Sequence, residues 1–483
     1  MKKVNVYINY LYNLSYQLLV IILPLITTPY VSRVLGASGI GAYSYTQSIT
    51  QYFILFGCIG LNLYGQKQIA FVQDDLDQRS KLFFELVLVR IFTISLSLLI
   101  FFFTCVQNEK YHLLFLIQII DIIASIFDIS WFFQGIEDFK KIVLRNFVVK
   151  IIGVILIFTV VKEPSDLPLY VLCYSATLLL GNLSMWFYMP KLVNKVRIKT
   201  LNCLQHIKPT IVMFIPQIAT SIYTMLDKTM IGALTGIDAE VGYYEQSQKI
   251  IKMAMTLVTS LGTVMLPRIA NMFANKDFKQ IEKYMINSFR FVFALGLPIM
   301  FGIIGISKGL IPWFYGEGFD KVLPNMIIIS PIILVIGLST ITGTQYLLPT
   351  NRQTEFTVSV ILGAIVNFIL NIVLIPILLS IGAAIATVIA EISVTAYQMY
   401  VVRHEFNLKR IFKISLKYLI ASIAMLIVLV LLNMQLSATL LNTVIEIGIG
   451  GLVYLIVLII LKDEIVKETI RKLYTKKNKA QMK

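Results

Sequence analysis

A chain of 483 residues that is 57% hydrophobic and only 14% charged has too little polar surface to cover itself in water, which excludes a soluble multidomain protein. Its apolar residues fall into runs near twenty long, the length that crosses a bilayer. The formal net charge of +16 would suit nucleic acid, but the basic residues lie between and beside the apolar runs, which excludes that partner.

Fourteen spans are predicted, at 8–34, 41–65, 82–105, 112–134, 142–161, 168–190, 210–234, 243–267, 287–307, 323–347, 355–377, 381–402, 414–433 and 442–461. The expected fold is therefore an all-α polytopic membrane protein. The first apolar run continues past the length of a signal-peptide core, so no cleaved leader is expected. With both termini placed inside, 32 of the 42 Lys and Arg fall in the inner segments or within a turn of them. The outer loops hold only Lys110, Lys162, Lys308 and Lys321. This is the positive-inside asymmetry, and it places both termini in the cytoplasm of a multi-pass plasma-membrane protein.

The second span opens with Gly41-Ala42-Tyr43-Ser44-Tyr45-Thr46-Gln47-Ser48-Ile49, and the eighth with Gly242-Tyr243-Tyr244-Glu245-Gln246-Ser247-Gln248-Lys249-Ile250. The two share the pattern G-x-Y-x-x-[ST]-Q-x-I at an offset of 201 residues. A period that long is no solenoid repeat; it predicts two fused copies of one membrane unit. Six spans per copy give both the same orientation, so the repeat is parallel. The expected organisation is an amino-terminal six-helix lobe at 1–190 and a basic cytoplasmic linker at 191–209. A second six-helix lobe at 210–403 follows, then helices 13 and 14 at 404–462 and a basic tail at 463–483.

Pro24 and Pro29 in the first span and Pro216 in the seventh each remove a backbone hydrogen bond. Such a position is a static kink or a hinge for alternating access. Ser44, Gln47, Ser48 and Gln51 form a polar stripe on the second span, and the equivalent positions of the eighth are Glu245, Gln248, Lys249 and Lys252. The seventh span adds Gln217, Asp227 and Lys228, and the first adds Arg33 near its outer end. A Lys or Asp turned to lipid at mid-bilayer costs roughly 2.5–3.5 kcal/mol on the insertion scale, so these groups are expected to face one another or a wet cavity. Arg33, Lys228, Lys249 and Lys252 outnumber Asp227 and Glu245, which suits an anionic cargo; the plainer alternative is that they pair and fix packing.

On the fourth span Asp121 and Asp128 lie two turns apart on one helical face, with Gln118 and Ser125 beside them. Either Arg90 and Lys150 neutralise them, or one carboxylate carries H⁺ or Na⁺ and Arg90 joins the cavity cations that bind the cargo. Glu391 on the twelfth span is a further carboxylate for ion coupling or packing. Cys58, Cys105, Cys173 and Cys203 lack metal-ligand spacing, and there is no phosphate-binding loop or zinc motif. No cofactor is expected beyond a coupling ion, and no enzymatic activity.

Thr28-Pro29-Tyr30-Val31-Ser32-Arg33-Val34-Leu35-Gly36, followed by Gly39, Gly41 and Tyr43, resembles the opening of Wzx-type polysaccharide repeat-unit flippases. These belong to the polysaccharide transporters of the multidrug/oligosaccharidyl-lipid/polysaccharide (MOP) exporter superfamily. Asp227-Lys228-Thr229-Met230-Ile231-Gly232 with Val241-Gly242-Tyr243-Tyr244 and Lys249-Ile250 is similar to that family's seventh-to-eighth helix region. Phe133-Gln134-Gly135 with Asp138-Phe139-Lys140 is similar too. The resemblance implies two lobes in a V around a cationic cavity lined by helices one, two, seven and eight, with Arg33, Asp227, Lys228, Tyr244 and Lys249 at motif positions. It implies a cargo of undecaprenyl-diphosphate-linked oligosaccharide, a capsular or other surface repeat unit, moved to the outer leaflet with H⁺ or Na⁺ coupling. Membrane lipids, a glycan polymerase and other envelope-assembly proteins are the partners it implies. Flippases for a teichoic acid precursor or lipid II, and a drug/cation antiporter, remain alternatives within transport. A membrane glycan polymerase or glycosyltransferase is the alternative of another class; the longest outer loop, near Lys308–Val322, offers it only Glu317 and Asp320.

Overall fold

The computed structural model describes the backbone of residues 6–463, and the side chains within it other than those of 6–21, 198, 215–217, 219–224, 261, 263–264 and 408. Among the described residues the chain is all-helical. The elements are α1 (Val6–Cys58), α2 (Leu61–Phe71), α3 (Leu76–Thr104), α4 (His112–Ile126), α5 (Ser130–Gly135), α6 (Phe139–Val160), α7 (Leu167–Trp186) and α8 (Ile207–Thr235). They continue with α9 (Asp238–Ala274), α10 (Phe278–Tyr315), α11 (Val322–Ile329), α12 (Ile332–Ser339), α13 (Gln353–Leu378), α14 (Ser380–Val401), α15 (Leu408–Asn433) and α16 (Leu440–Ile460). Among the described residues eleven segments are long and apolar enough to cross a membrane. The two arms of α1 and helix α8 are long enough as well, which completes the fourteen crossings expected.

Glycine sets the main reversals. α1 is two helices meeting at Gly36, whose φ of 66° and ψ of 177° no helix contains. Only glycine reaches that φ without a Cβ penalty. The backbone stays helical through Pro24 and Pro29, so the break lies a turn or more beyond the two prolines. α8 ends on Gly236 in the left-handed conformation, the usual glycine stop of a helix. Polar caps set several starts: Asp75 Oδ1 accepts from the amides of Asp77 and Gln78 at 3.0 Å, and Asn407 and Thr439 cap α15 and α16.

Three predicted spans are interrupted, the tenth of them at Ser330 and Pro331 between α11 and α12. The second stops at Cys58 and resumes at Leu61 after Ile59 and Gly60, both at positive φ. The fourth stops at Ile126 and resumes as α5 at Ser130. Asp121 and Asp128 are therefore not two turns apart on one helix: Asp128 lies in the break, where its Oδ1 accepts from the Ser130 amide at 3.0 Å. A carboxylate next to a serine competes with the helix by offering its own turn, which spacing alone does not reveal.

Packing divides the chain into two compact units, Met1–Gly242 and Tyr243–Lys483. In the first, α4 packs on α7, α1 and α3, α6 packs on α7, and α1 packs on α8. An aromatic core of Phe83, Trp131, Phe132 and Phe133, with Trp186 beside it, ties α3, α5 and α7 together. In the second unit α13 packs on α14, and α15 and α16 pack on α10. The other side of α15 and α16 exposes Ile420, Ile427, Leu431, Leu441 and Val444, a surface that only lipid would cover.

Candidate functional site

In the first unit the two copies of the glycine pattern meet. A Cβ on Gly41 would lie 1.6 Å from the carbonyl oxygen of Asp238, and one on Gly242 would lie 2.1 Å from the carbonyl oxygen of Ala37. Ala37 precedes Gly41 by four residues, as Asp238 precedes Gly242, so the contact is reciprocal. Further along the same seam Tyr45 lies over Gly232, and Ser48 Oγ and Thr229 Oγ1 are 2.8 Å apart. The seam brings α1, α8 and the start of α9 within backbone contact. Just beyond it on α8 sit Asp227, buried, and Lys228, half-buried.

The polar stripe on the second arm of α1 splits by depth: Ser44 and Ser48 are buried, while Gln47 and Gln51 are half-buried. Arg33, on the first arm, is exposed. At one end of the seam Lys110 Nζ donates to the carbonyl of Gly236 and to Asp238, both at 3.0 Å, and the Tyr111 hydroxyl donates to Asp238 Oδ1. Burial, then the bond to Asp238, pushes the Tyr111 phenol well above its ordinary range. These contacts fasten the loop before α4 to the α8–α9 turn.

Arg90 is 1% exposed and fully engaged: Nε donates to the Ser125 carbonyl at 2.7 Å and one terminal nitrogen to Asn62 Oδ1 at 2.8 Å. It and Arg145 each stand 3.9 Å from Asp128. The cations beside Asp128 are thus Arg90 and Arg145, the second of which sequence reading missed; Arg90, also expected among the cations that receive the cargo, is instead buried and held by these partners, and Lys150 is half-buried on α6. Asp121, 1% exposed, sits apart from them near Gln118, whose amide donates to Thr46 at 3.0 Å and Gln47 at 3.3 Å and accepts from Thr50 at 2.8 Å.

In the second unit the eighth-span stripe divides the other way from its counterpart: the buried position is Gln248, the equivalent of half-buried Gln47. Tyr244 and Gln248 face inward: Gln248 Nε2 donates to the Tyr244 hydroxyl at 2.6 Å, which lies 2.8 Å from Thr387 Oγ1 on α14. Glu245 and Lys249 are half-buried and Lys252 is exposed, at positions that share the neighbouring helical face. Glu391 is buried on α14. Pro216 and Gln217 lie outside the described side chains.

Two polar groups escaped the sequence reading. In the second unit Asn325 donates to Ser380 at 2.9 Å, Asn371 to Asn367 at 3.1 Å, and Gln398 bridges Thr342 and Ser359 at 2.6 and 2.9 Å. The pair Asn367 and Asn371, four apart in an apolar helix, was the available signal. In the first unit His206 is buried. Its Nε2 lies 2.8 Å from Glu85 and its Nδ1 2.9 Å from the Tyr64 hydroxyl, while the Asn202 amide donates to Glu85 at 2.7 Å. The basic stretch before α8 is thereby tied to α3.

Paired copies of one motif, broken crossing helices and cations within the crossings define a membrane transporter of the inverted or parallel-repeat class. Residues 6–273 match the family model described as polysaccharide biosynthesis protein, and residues 143–450 match that of lipid II flippase MurJ. The chain belongs to this polysaccharide biosynthesis protein family, and it is a transport protein, not an enzyme. It is 24% identical over 362 residues to the "Putative O-antigen transporter" of Escherichia coli (strain K12), covering 72% of this chain and 84% of that one. The protein of the same name from Shigella dysenteriae is 23% identical over 71% of this chain and 86% of its own length. The solved lipid II flippase MurJ, in an inward closed conformation, superposes with a TM-score of 0.75 at 19% identity, over 95% of this chain and 100% of that one. An inward-facing multidrug transporter of the MATE family gives 0.58 at 11% identity, over 82% and 98% of the two chains. At these identities the structural likenesses speak to the fold.

Proposed function

We propose that this protein moves an undecaprenyl-diphosphate-linked oligosaccharide, a surface-polysaccharide repeat unit, from the inner to the outer leaflet by alternating access. The observation that carries the reading is that crossing helices hold cations within them, Lys228 on α8 in the first unit and Lys249 on α9 in the second. Unaided crossing is prohibitive, since each unsatisfied hydroxyl costs roughly 4–8 kcal/mol in hydrocarbon and a diphosphate far more. In this reading Arg33, Lys228, Lys249 and Lys252 receive the diphosphate, and Gln47, Gln51, Gln217 and Tyr244 serve sugar hydroxyls. Asp227, Glu245 and Glu391 balance charge or couple the ion, with Pro24, Pro29 and Pro216 as hinges. Two six-helix lobes, 1–190 and 210–403, rock about the linker 191–209, with both termini cytoplasmic. The names of the O-antigen transporters support the cargo class.

The test is flipping of lipid-linked oligosaccharide in proteoliposomes. Lys228→Ala and Lys249→Ala are expected to insert normally and to lose roughly ten- to a hundredfold in flipping rate, the loss of one charge-assisted contact of about 1.5–3 kcal/mol. Full activity in both variants would refute the assignment. The match of residues 143–450 to the MurJ model favours lipid II as a second reading, so the same vesicles should be loaded with lipid II in parallel. A teichoic acid precursor, which uses the same carrier lipid, is the third load.

A further inference from the structure

A cleft of about 440 Å³ opens between the end of α9 and the start of α10, within the second unit. Pro267, Arg268, Asn271 and Met272 wall it on the α9 side, and Gln280 and Tyr284 on the α10 side. None of these residues enters the function proposed above. A volume of this order takes a small organic molecule rather than a single ion.

The turn joining the two helices is closely specified. The Asp277 amide donates to the Met272 carbonyl at 2.9 Å and the Lys276 amide to the Phe273 carbonyl at 3.0 Å. Lys276 sits between them at a φ of 57°, in the closing position of a helix that usually belongs to glycine. Asp277 Oδ1 then caps α10 by accepting from the Gln280 amide at 3.2 Å. Phe273 and Phe278 meet with ring centroids 6.2 Å apart, while Ile269 on α9 and Ile281 and Met285 on α10 are buried.

What lines the cleft is a set of donors with nothing of their own to bind. Arg268 is exposed, and among the described residues its guanidinium has no hydrogen-bond or ion-pair partner. Among those residues the Gln280 side chain and the Tyr284 hydroxyl have none either. Asn271 Oδ1 accepts from Asn275 at 3.1 Å, which leaves its own amide hydrogens to donate. No carboxylate lines the space. Asp277 is committed to its cap, and Glu282, two positions past Gln280, points from the other side of α10. Lys276, Lys279, Lys283 and Arg290 bring the cations of 267–290 to five, against two carboxylates.

Such a lining calls for an anion with several acceptor oxygens. A guanidinium holds phosphate through two parallel N–H bonds, and a tetrahedral phosphate has more oxygens left for amide and hydroxyl donors than a planar carboxylate has. Pro267 and Met272 add an apolar flank for the carbon part of an ester.

We propose that this cleft binds a phosphate ester, with Arg268 holding the phosphate and Asn271, Gln280 and Tyr284 donating to its remaining oxygens. With both termini cytoplasmic, as proposed above, the α9–α10 turn meets the cytoplasm. The ester is then a phospholipid headgroup of the inner leaflet or a phosphorylated metabolite, two sources with one recognition chemistry. The site depends neither on the cargo nor on ion coupling.

Binding is therefore read without cargo. Purified full-length protein in maltoside, a detergent free of phosphate, is titrated with dioctanoyl phosphatidylglycerol, glycerol phosphate and inorganic phosphate while the thermal unfolding midpoint is followed. A saturable rise is expected with an ester. Saturation by the lipid alone supports the headgroup as the source; saturation by glycerol phosphate as well supports the metabolite. Arg268→Gln should keep the ligand-free midpoint and weaken half-saturation roughly ten- to a hundredfold, the loss of one charge-assisted contact. Tyr284→Phe should weaken it roughly two- to tenfold. Arg268→Lys, read in place of the glutamine variant if that one is unstable, keeps the charge but not the paired bonds and should weaken binding too. Lys413→Gln removes a like charge from α15, outside the cleft lining, and should bind as the wild type does. No saturable rise with any probe, wild-type half-saturation in the Arg268 variant, or equal weakening in Lys413→Gln would overturn the site.

Discussion

Gly41 and Gly242 are held by what surrounds them. At both positions a methyl group would meet backbone oxygen, which cannot rotate away as a side chain could. Gly41→Ala is expected to cost about 1–3 kcal/mol, the usual penalty of overpacking, and to lower the unfolding midpoint in detergent. Gly448→Ala and Gly451→Ala, with nothing within 4 Å, should leave it unchanged. Arg90→Ala should be more damaging, by about 3–5 kcal/mol, because it strips a buried cation from Asp128 and from the Ser125 carbonyl. Adding Asp128→Asn to it should recover part of the loss, as read by the same denaturation. At this scale the sequence disclosed which residues mattered better than what they touch. Arg90 was legible as the neutraliser of an acidic pair, yet its carbonyl acceptor and the second guanidinium, Arg145, depend on a helix break that has no periodic signature.

Helix α1 carries two prolines and one decisive glycine. Because the backbone is helical through Pro24 and Pro29 and reverses at Gly36, Gly36→Ala should cost roughly 1–2 kcal/mol for the left-handed residue even though its space is open. Pro29→Ala should cost less, and comparing the two by thermal unfolding checks the assignment. The clasp between the loop before α4 and the α8–α9 turn makes a second element-scale prediction. Tyr111 has its phenol raised in the folded chain, so the unfolded state releases that proton first. Stability should therefore be unaffected by this group below the ordinary phenol value of about 10 and fall as pH rises above it. Tyr111→Phe should unfold with a shallower decline over that alkaline range. Span positions were readable from apolar run length, but interruptions after Cys58 and Ile126 were not, since one glycine or one carboxylate inside an apolar run does not by itself end it.

Across the whole molecule, apolar run length made fourteen crossings legible and the helices follow them, while the distribution of Lys and Arg adds an expected orientation with both termini inside. The orientation predicts that a fluorescent protein fused to the carboxy terminus will be bright and an alkaline phosphatase fused there inactive; the reverse pattern would invert the topology. The nine-residue echo disclosed a duplicated plan, but which backbone atoms the two copies bring together was not written in either copy alone. Because each copy contains both the carbonyl and the glycine of the contact, that joint is isologous, the same patch used twice as in a two-fold dimer. Two separate chains bearing one copy each would have possessed everything needed to meet in this way, and fusion would then have made permanent an encounter that once depended on concentration.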